Sequence, residues 1–178
     1  MESSSASVAS IASLVLVARP SGSLGPYYPP SPSGLPFHPA VRWPEVAEHD
    51  LARRNGLRAR GPSLDVRVLV VDAKGAPAPG ATVELWSVNA DARYVCEPGA
   101  SGEDPGFVGF GRARSGSDGS ASFRTGWPVS YSRYVLLRRP PHLHFRVQLR
   151  GRDDAYEVEI PPFTAASDGA VVTVTLAP

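Results

Sequence analysis

Apolar and polar residues alternate with a period of two along most of this chain. Leu64-Asp65-Val66-Arg67-Val68-Leu69-Val70-Val71-Asp72 sets the pattern. Ala81 to Trp86, Ala121 to Thr125, Ala155 to Ile160 and Val171 to Leu176 repeat it in shorter form. A two-residue period puts every second side chain on one face, so each run is expected as a strand with one face in a core. Turn chemistry separates the runs: Ala73-Lys74-Gly75, Pro79-Gly80, Gly151-Arg152-Asp153-Asp154, and Ser117-Asp118-Gly119-Ser120, read as a hairpin turn. Phe107 to Arg112 reads as a Gly-rich strand or bulged segment. Two longer stretches read as loops: 90–106, with Tyr94, and 127–137, with Tyr131 and Tyr134. Only Trp43 to Arg54 has room for a helical turn or two. About seven strands with frequent turns predict an all-β fold, a β-sandwich of mainly antiparallel strands with long loops at the active end.

One strand stands apart. In Arg139-Pro140-Pro141-His142-Leu143-His144-Phe145 the two histidines fall at i and i+2, on one face, with Leu143 and Phe145 on the other. The prolines suit a strand entrance, where no ladder donor is needed. Two adjacent imidazoles make half of a metal site, although such a pair also occurs as plain partly exposed polar residues. The strand is expected to run to about Leu149.

Composition narrows the picture. The 178 residues carry a net charge of +1, which gives no basic field for nucleic acid. The 17 glycines and 19 prolines fit a turn-rich β fold. The single cysteine, Cys96, excludes an intrachain disulfide and a multi-cysteine cluster. Residues 1–24 are expected as a flexible tail or arm, with 25–178 as the sandwich domain. The apolar run Val8–Ala18 is too short to span a bilayer and has no basic residue before it. A cytoplasmic location is therefore the expectation, with a targeting segment and secretion as the alternative.

The two long loops and the histidine strand together offer Tyr94, Tyr131, His142 and His144. Phenol ionises near pH 10, so tyrosinate at neutral pH needs a strong Lewis acid beside it. Ferric iron is such an acid; two tyrosinates and a hydroxide balance its charge and leave both histidines neutral. Each tyrosine alone is as readily explained by packing.

With these residues in hand, the chain resembles the intradiol ring-cleavage dioxygenases, over about residues 25–146. The resemblance rests on Gly25-Pro26 with its aromatic pair, His49-Asp50-Leu51, the segment Val70 to Pro77 followed by Gly80 to Trp86 (like the family's first core hairpin), Asn89 with Arg93-Tyr94, Phe107 to Arg112, Asp118-Gly119, Phe123-Arg124-Thr125 with Pro128 and Tyr131, and Arg139 to Phe145. It implies non-haem Fe(III) held by Tyr94 and His142 as equatorial and Tyr131 and His144 as axial ligands. It also implies Tyr131 as a proton acceptor and Arg139 as a cation facing the substrate. The implied reaction inserts both atoms of O2 into a catechol-type ring, protocatechuate-like and so carboxylated, to give a cis,cis-muconate. The implied partners are a small aromatic diol and O2, with a homo-oligomer or second subunit, no nucleic acid and no membrane. Ala92 stands where the family has Gly, and no glutamine-bearing strand follows the histidines, so one pocket wall is expected to be missing or borrowed. The alternatives are a non-catalytic sandwich derived from this family and a ferrous cupin; the cupin pattern wants Glu where Gln148 stands.

Overall fold

The computed structural model describes residues 13–24, 28, 49–95, 97, 104–134, 137–163 and 169–176. Thirteen strands and no helix occur among them. In chain order they are β1 (Leu14–Val17), β2 (Arg19–Pro20), β3 (Arg53–Arg54), β4 (Leu57–Arg58), β5 (Ser63–Val71), β6 (Thr82–Trp86), β7 (Phe110–Arg114), β8 (Ser120–Gly126), β9 (Tyr131–Tyr134), β10 (Leu137–Arg139), β11 (His142–Leu149), β12 (Arg152–Glu159) and β13 (Gly169–Thr175). One sheet runs β1-β13-β5-β8 and the other β2-β12-β11-β6-β7; β3-β4 and β9-β10 are separate two-stranded ribbons. The all-β expectation holds.

The core follows from the alternation. Leu64, Val66, Val68 and Val70 of β5 face inward and are buried, against Val83 and Leu85 of β6 and Leu143, Phe145 and Val147 of β11. Each such side chain contributes roughly 1.5–3 kcal/mol by leaving water. The opposite face of β11 is thereby turned outward, and it carries His142 and His144.

Several connections differ from the sequence reading. The segment read as a first core hairpin is not one: β5 and β6 lie in opposite sheets. Nor is Ser117–Ser120 a hairpin turn, since β7 pairs with β6 and β8 with β5. A period of two states which residues face inward but not which sheet they join. Gly119 shows why this crossing is tight: its φ is +75°, and a Cβ there would lie 2.6 Å from the Val70 carbonyl oxygen. Ser115 ties the two crossings together, its Oγ donating to the Ala78 carbonyl (2.8 Å) and accepting from Ala81 N (2.9 Å).

The seventh strand starts only at Phe110, because Gly109 has a φ of +72° and packs on the Phe107 ring. Residues 49–54 hold a bridge from Asp50 to Arg124, a turn and β3 rather than a helical turn. The turn after β11 is Arg150-Gly151, with φ of 50° and 82°, as a two-residue hairpin needs; strand pairing resumes at Arg152 rather than beyond Asp154. The loop expected at 127–137 contains the β9-β10 ribbon. Two ladders, β1 with β13 and β13 with β5, are parallel. The described part of the expected tail adds a strand to each sheet: β1 borders β13 and β2 borders β12.

Candidate metal centre

Tyr94 is delivered by a short knot of backbone. Asn89 Oδ1 accepts hydrogen bonds from Asp91 N and Arg93 N, both at 3.0 Å, and Asn89 N donates to the Arg93 carbonyl. Closing that knot puts Ala92 at a φ of +61°, where glycine is the easy residue and alanine is strained. Tyr94 then turns inward and is buried against Trp86, Val88 and Phe110, with Tyr28, Val129 and Tyr131 at the edge of the same cluster.

The histidines come from the start of β11. His142 Nδ1 lies 2.7 Å from the Pro140 carbonyl oxygen, which can only accept, so Nδ1 carries the proton and Nε2 presents a lone pair. His144 stacks on Trp86, its ladder neighbour on β6, with ring centroids 5.2 Å apart and planes 9° from parallel. Its Nδ1 lies 3.6 Å from Glu157 Oε2, opposite it on β12, while its Nε2 faces the phenols. Tyr131 opens β9 and reaches in over the histidines.

All four residues singled out in the sequence converge. Tyr94 Oη is 3.2 Å from Tyr131 Oη, 3.2 Å from His142 Nε2 and 3.0 Å from His144 Nε2. The two Nε2 atoms are 3.2 Å apart. The Nε2 lone pair of His142 is aimed at the point where the other three donor atoms meet. Donor spacings near 3.2 Å are those of ligands about 2 Å from a common metal. Burial lowers the pKa of both histidines, that of His144 to about 3, with His142 and Arg139 adding to the effect. Both rings are thus neutral and able to ligate. Burial, and then the hydrogen bond with Tyr131, pushes the Tyr94 pKa well up. That phenol ionises only beside a strong Lewis acid. Two phenol oxygens with two neutral imidazoles fit hard, highly charged Fe(III), so the donor chemistry and the implied cofactor agree.

Arg139, expected to face the substrate, donates through Nη2 to both carboxylate oxygens of Glu157 at 2.6 Å. Burial, the largest single influence, lowers its pKa, but the hydrogen bond and charge of Glu157 together with the two phenols hold the guanidinium above its ordinary value. Arg138 donates to Ser130 Oγ. Sequence reasoning missed Glu157 and Trp86. Both were within reach: counting back from Arg150-Gly151 pairs His144 with Glu157, and a residue at the end of β6 must meet a neighbouring strand.

Beyond the centre, the same outer face holds a closed polar network. Buried Glu84 accepts from Arg112 and from Tyr28 Oη, and Arg146 joins Tyr28 to Asp153. Burial, with Glu84 second, raises the Tyr28 pKa to about 12, so it stays a neutral donor. Tyr28 thereby clamps the chain over Trp86, edge-on at 4.9 Å. Tyr27 and Cys96 lie outside the described residues.

A two-layer sandwich carrying paired phenols and imidazoles on an outer sheet face has the donor set of a metal centre. Comparison with known proteins makes this specific. The family model described as Dioxygenase matches residues 38–152, and the chain belongs to this family, the intradiol ring-cleaving dioxygenases. Over 105 residues the chain is 33% identical to the protocatechuate 3,4-dioxygenase beta chain of Burkholderia cepacia, a match covering 55% of this chain and 44% of that protein. The chain thus spans less than half the length of this relative. The fold is also that of 3-chlorocatechol 1,2-dioxygenase from Rhodococcus opacus 1CP (TM-score 0.58, 18% identity, 81% of this chain and 70% of that one). It is shared by the dioxygenase domain of a carbohydrate-binding fusion protein from Streptomyces sp. SirexAA-E (TM-score 0.54, 18% identity, 86% and 99%).

Proposed function

We propose that this chain is an intradiol dioxygenase that cleaves a catechol-type ring with both atoms of O2 to a cis,cis-muconate, using non-haem Fe(III) held by Tyr94, Tyr131, His142 and His144. The observation that carries this reading is the convergence of four donor atoms, from a loop, a ribbon and a strand, at 3.0–3.2 Å. When bound, ferric iron would supply the Lewis acidity that ionises both phenols and draws a catechol in as its dianion. The protein's own groups do the rest. Pro140 and Trp86 fix the two imidazole planes, so the lone pairs need no reorganisation. The apolar cluster around Trp86 and Tyr94 keeps water from the inner side. Tyr131, less buried than Tyr94, is the phenol oxygen placed to accept a proton from an incoming diol. Arg139, held by Glu157, sets a fixed guanidinium beside the histidines. The beta-chain relative supports assembly with a second subunit, and the aromatic diol and O2 are the small partners of the reading. No helix among the described residues is long and apolar enough to cross a membrane.

The test is to load purified protein with ferric iron and offer catechol, 3,4-dihydroxybenzoate and hydroxyquinol, following oxygen uptake and product. A red-brown tyrosinate band, lost together with iron in Tyr94→Phe, and a muconate product are expected. A semialdehyde product would replace this reading with extradiol chemistry. Colour and diol binding without oxygen uptake would favour a non-catalytic member of the family.

A further inference from the structure

Glu157 has no part in the proposed ligand set, yet it is the residue most tightly bound up with it. Both its oxygens take Arg139 at 2.6 Å, and one lies 3.6 Å from His144 Nδ1. A carboxylate oxygen of Glu157 and a nitrogen from each of His142 and His144 lie within 4.8 Å of one another. That grouping looks like a two-histidine, one-carboxylate metal site, but the geometry argues otherwise. The carboxylate is on the Nδ1 side of His144, whereas the phenols gather at Nε2, and both its oxygens are occupied by a guanidinium. It braces the centre from behind.

We propose that Glu157 is a specificity-determining residue: it fixes Arg139 beside the metal centre and cancels its charge, so that the site discriminates against catechols bearing an acidic group. This inference rests on the proposed function. The charge argument is direct. A free arginine at this position would attract a ring carboxylate through a bidentate pair. Here Nη2 is held between both oxygens of Glu157, so the guanidinium charge is already balanced, and an incoming carboxylate must either displace Glu157 or lie against its negative charge. Arg138 offers no substitute, because successive strand residues point to opposite faces, and it is engaged with Ser130. A diol with no acidic substituent meets neither penalty.

Glu157→Gln keeps the size of the side chain and one acceptor for Arg139 but removes the charge; Glu157→Asp keeps the charge. Calorimetric titration of the three iron-loaded proteins with catechol and with 3,4-dihydroxybenzoate at neutral pH, without O2, tests the proposal. The expected result is that wild type and Glu157→Asp favour catechol, while Glu157→Gln shifts the affinity ratio towards the dihydroxybenzoate by about tenfold. Affinities are compared per bound iron, because Glu157 also lies 3.6 Å from His144 Nδ1. An unchanged ratio in Glu157→Gln overturns the proposal while leaving the catechol reading intact. Loss of iron and colour in Glu157→Gln that Glu157→Asp does not share also overturns it, by assigning the carboxylate to holding the centre rather than to selecting the substrate. Failure of every loaded form to bind either diol would instead sink the functional reading beneath it.

Discussion

At the scale of the residue, burial keeps the two histidines of the candidate centre uncharged. His144 is the clearest case. Burial, His142 and Arg139 together lower its pKa from 6.5 to about 3. A histidine with a depressed folded pKa binds fewer protons folded than unfolded. The metal-free protein should therefore lose stability as pH falls through 6.5 towards 3, and gain nothing above 6.5 from this group. Urea titrations of metal-free protein at pH 7 and pH 5 should differ by roughly 2 kcal/mol. His144→Gln should remove most of that difference, and a variant with the same acid sensitivity would show that the loss arises elsewhere. That His142 and His144 lie side by side was legible in the sequence, because a two-residue spacing on a strand fixes a shared face. Glu157 was not, because its role depends on a ladder register that only the position of the Arg150-Gly151 turn defines. Ala92 was visible as a departure, but its meaning appears only with its φ of +61°.

At the scale of the element, alternation located the long strands to within three residues at either end, yet misread how they connect. Ser117 to Ser120 carries the composition of a hairpin turn, and the chain uses it to cross from one sheet to the other. Gly119 makes that crossing possible, since its positive φ and the Val70 carbonyl oxygen leave no room for a side chain. Gly119→Ala should cost roughly 2–4 kcal/mol in denaturant unfolding, from left-handed strain and the clash together. A cost below about 1 kcal/mol would mean that the crossing relaxes easily and does not fix the layers. The β9-β10 ribbon was hidden for a different reason: its strands are four and three residues long, too short for any period to register.

At the scale of the whole molecule, the two layers are fastened together at one side by a single segment. β1 runs along one sheet, Ala18 is buried between them and donates to the Thr173 carbonyl, and β2 runs along the other sheet. A sequence poor in charge and rich in Ser and Ala gave no sign of this, since edge strands bury only half their side chains. Deleting residues 1–24 should uncover the edges of β13 and β12 together. Melting should fall by several degrees, reflecting a loss of roughly 3 kcal/mol from Leu14, Leu16 and Ala18, and association through the bared edges should follow on light scattering. An unchanged melting curve would assign the segment no structural role.

The ribbon that bears Tyr131 belongs to neither sheet. Two short strands have little stability of their own, but this pair is tied to the larger sheet, since Arg139 at the end of β10 donates to both oxygens of Glu157 on β12. Tyr131 therefore keeps its place through an ion pair between ribbon and sheet as well as through the ribbon's own short ladder. Parting Tyr131 from Tyr94, His142 and His144 needs only that local tie to open and not the unfolding of the sandwich.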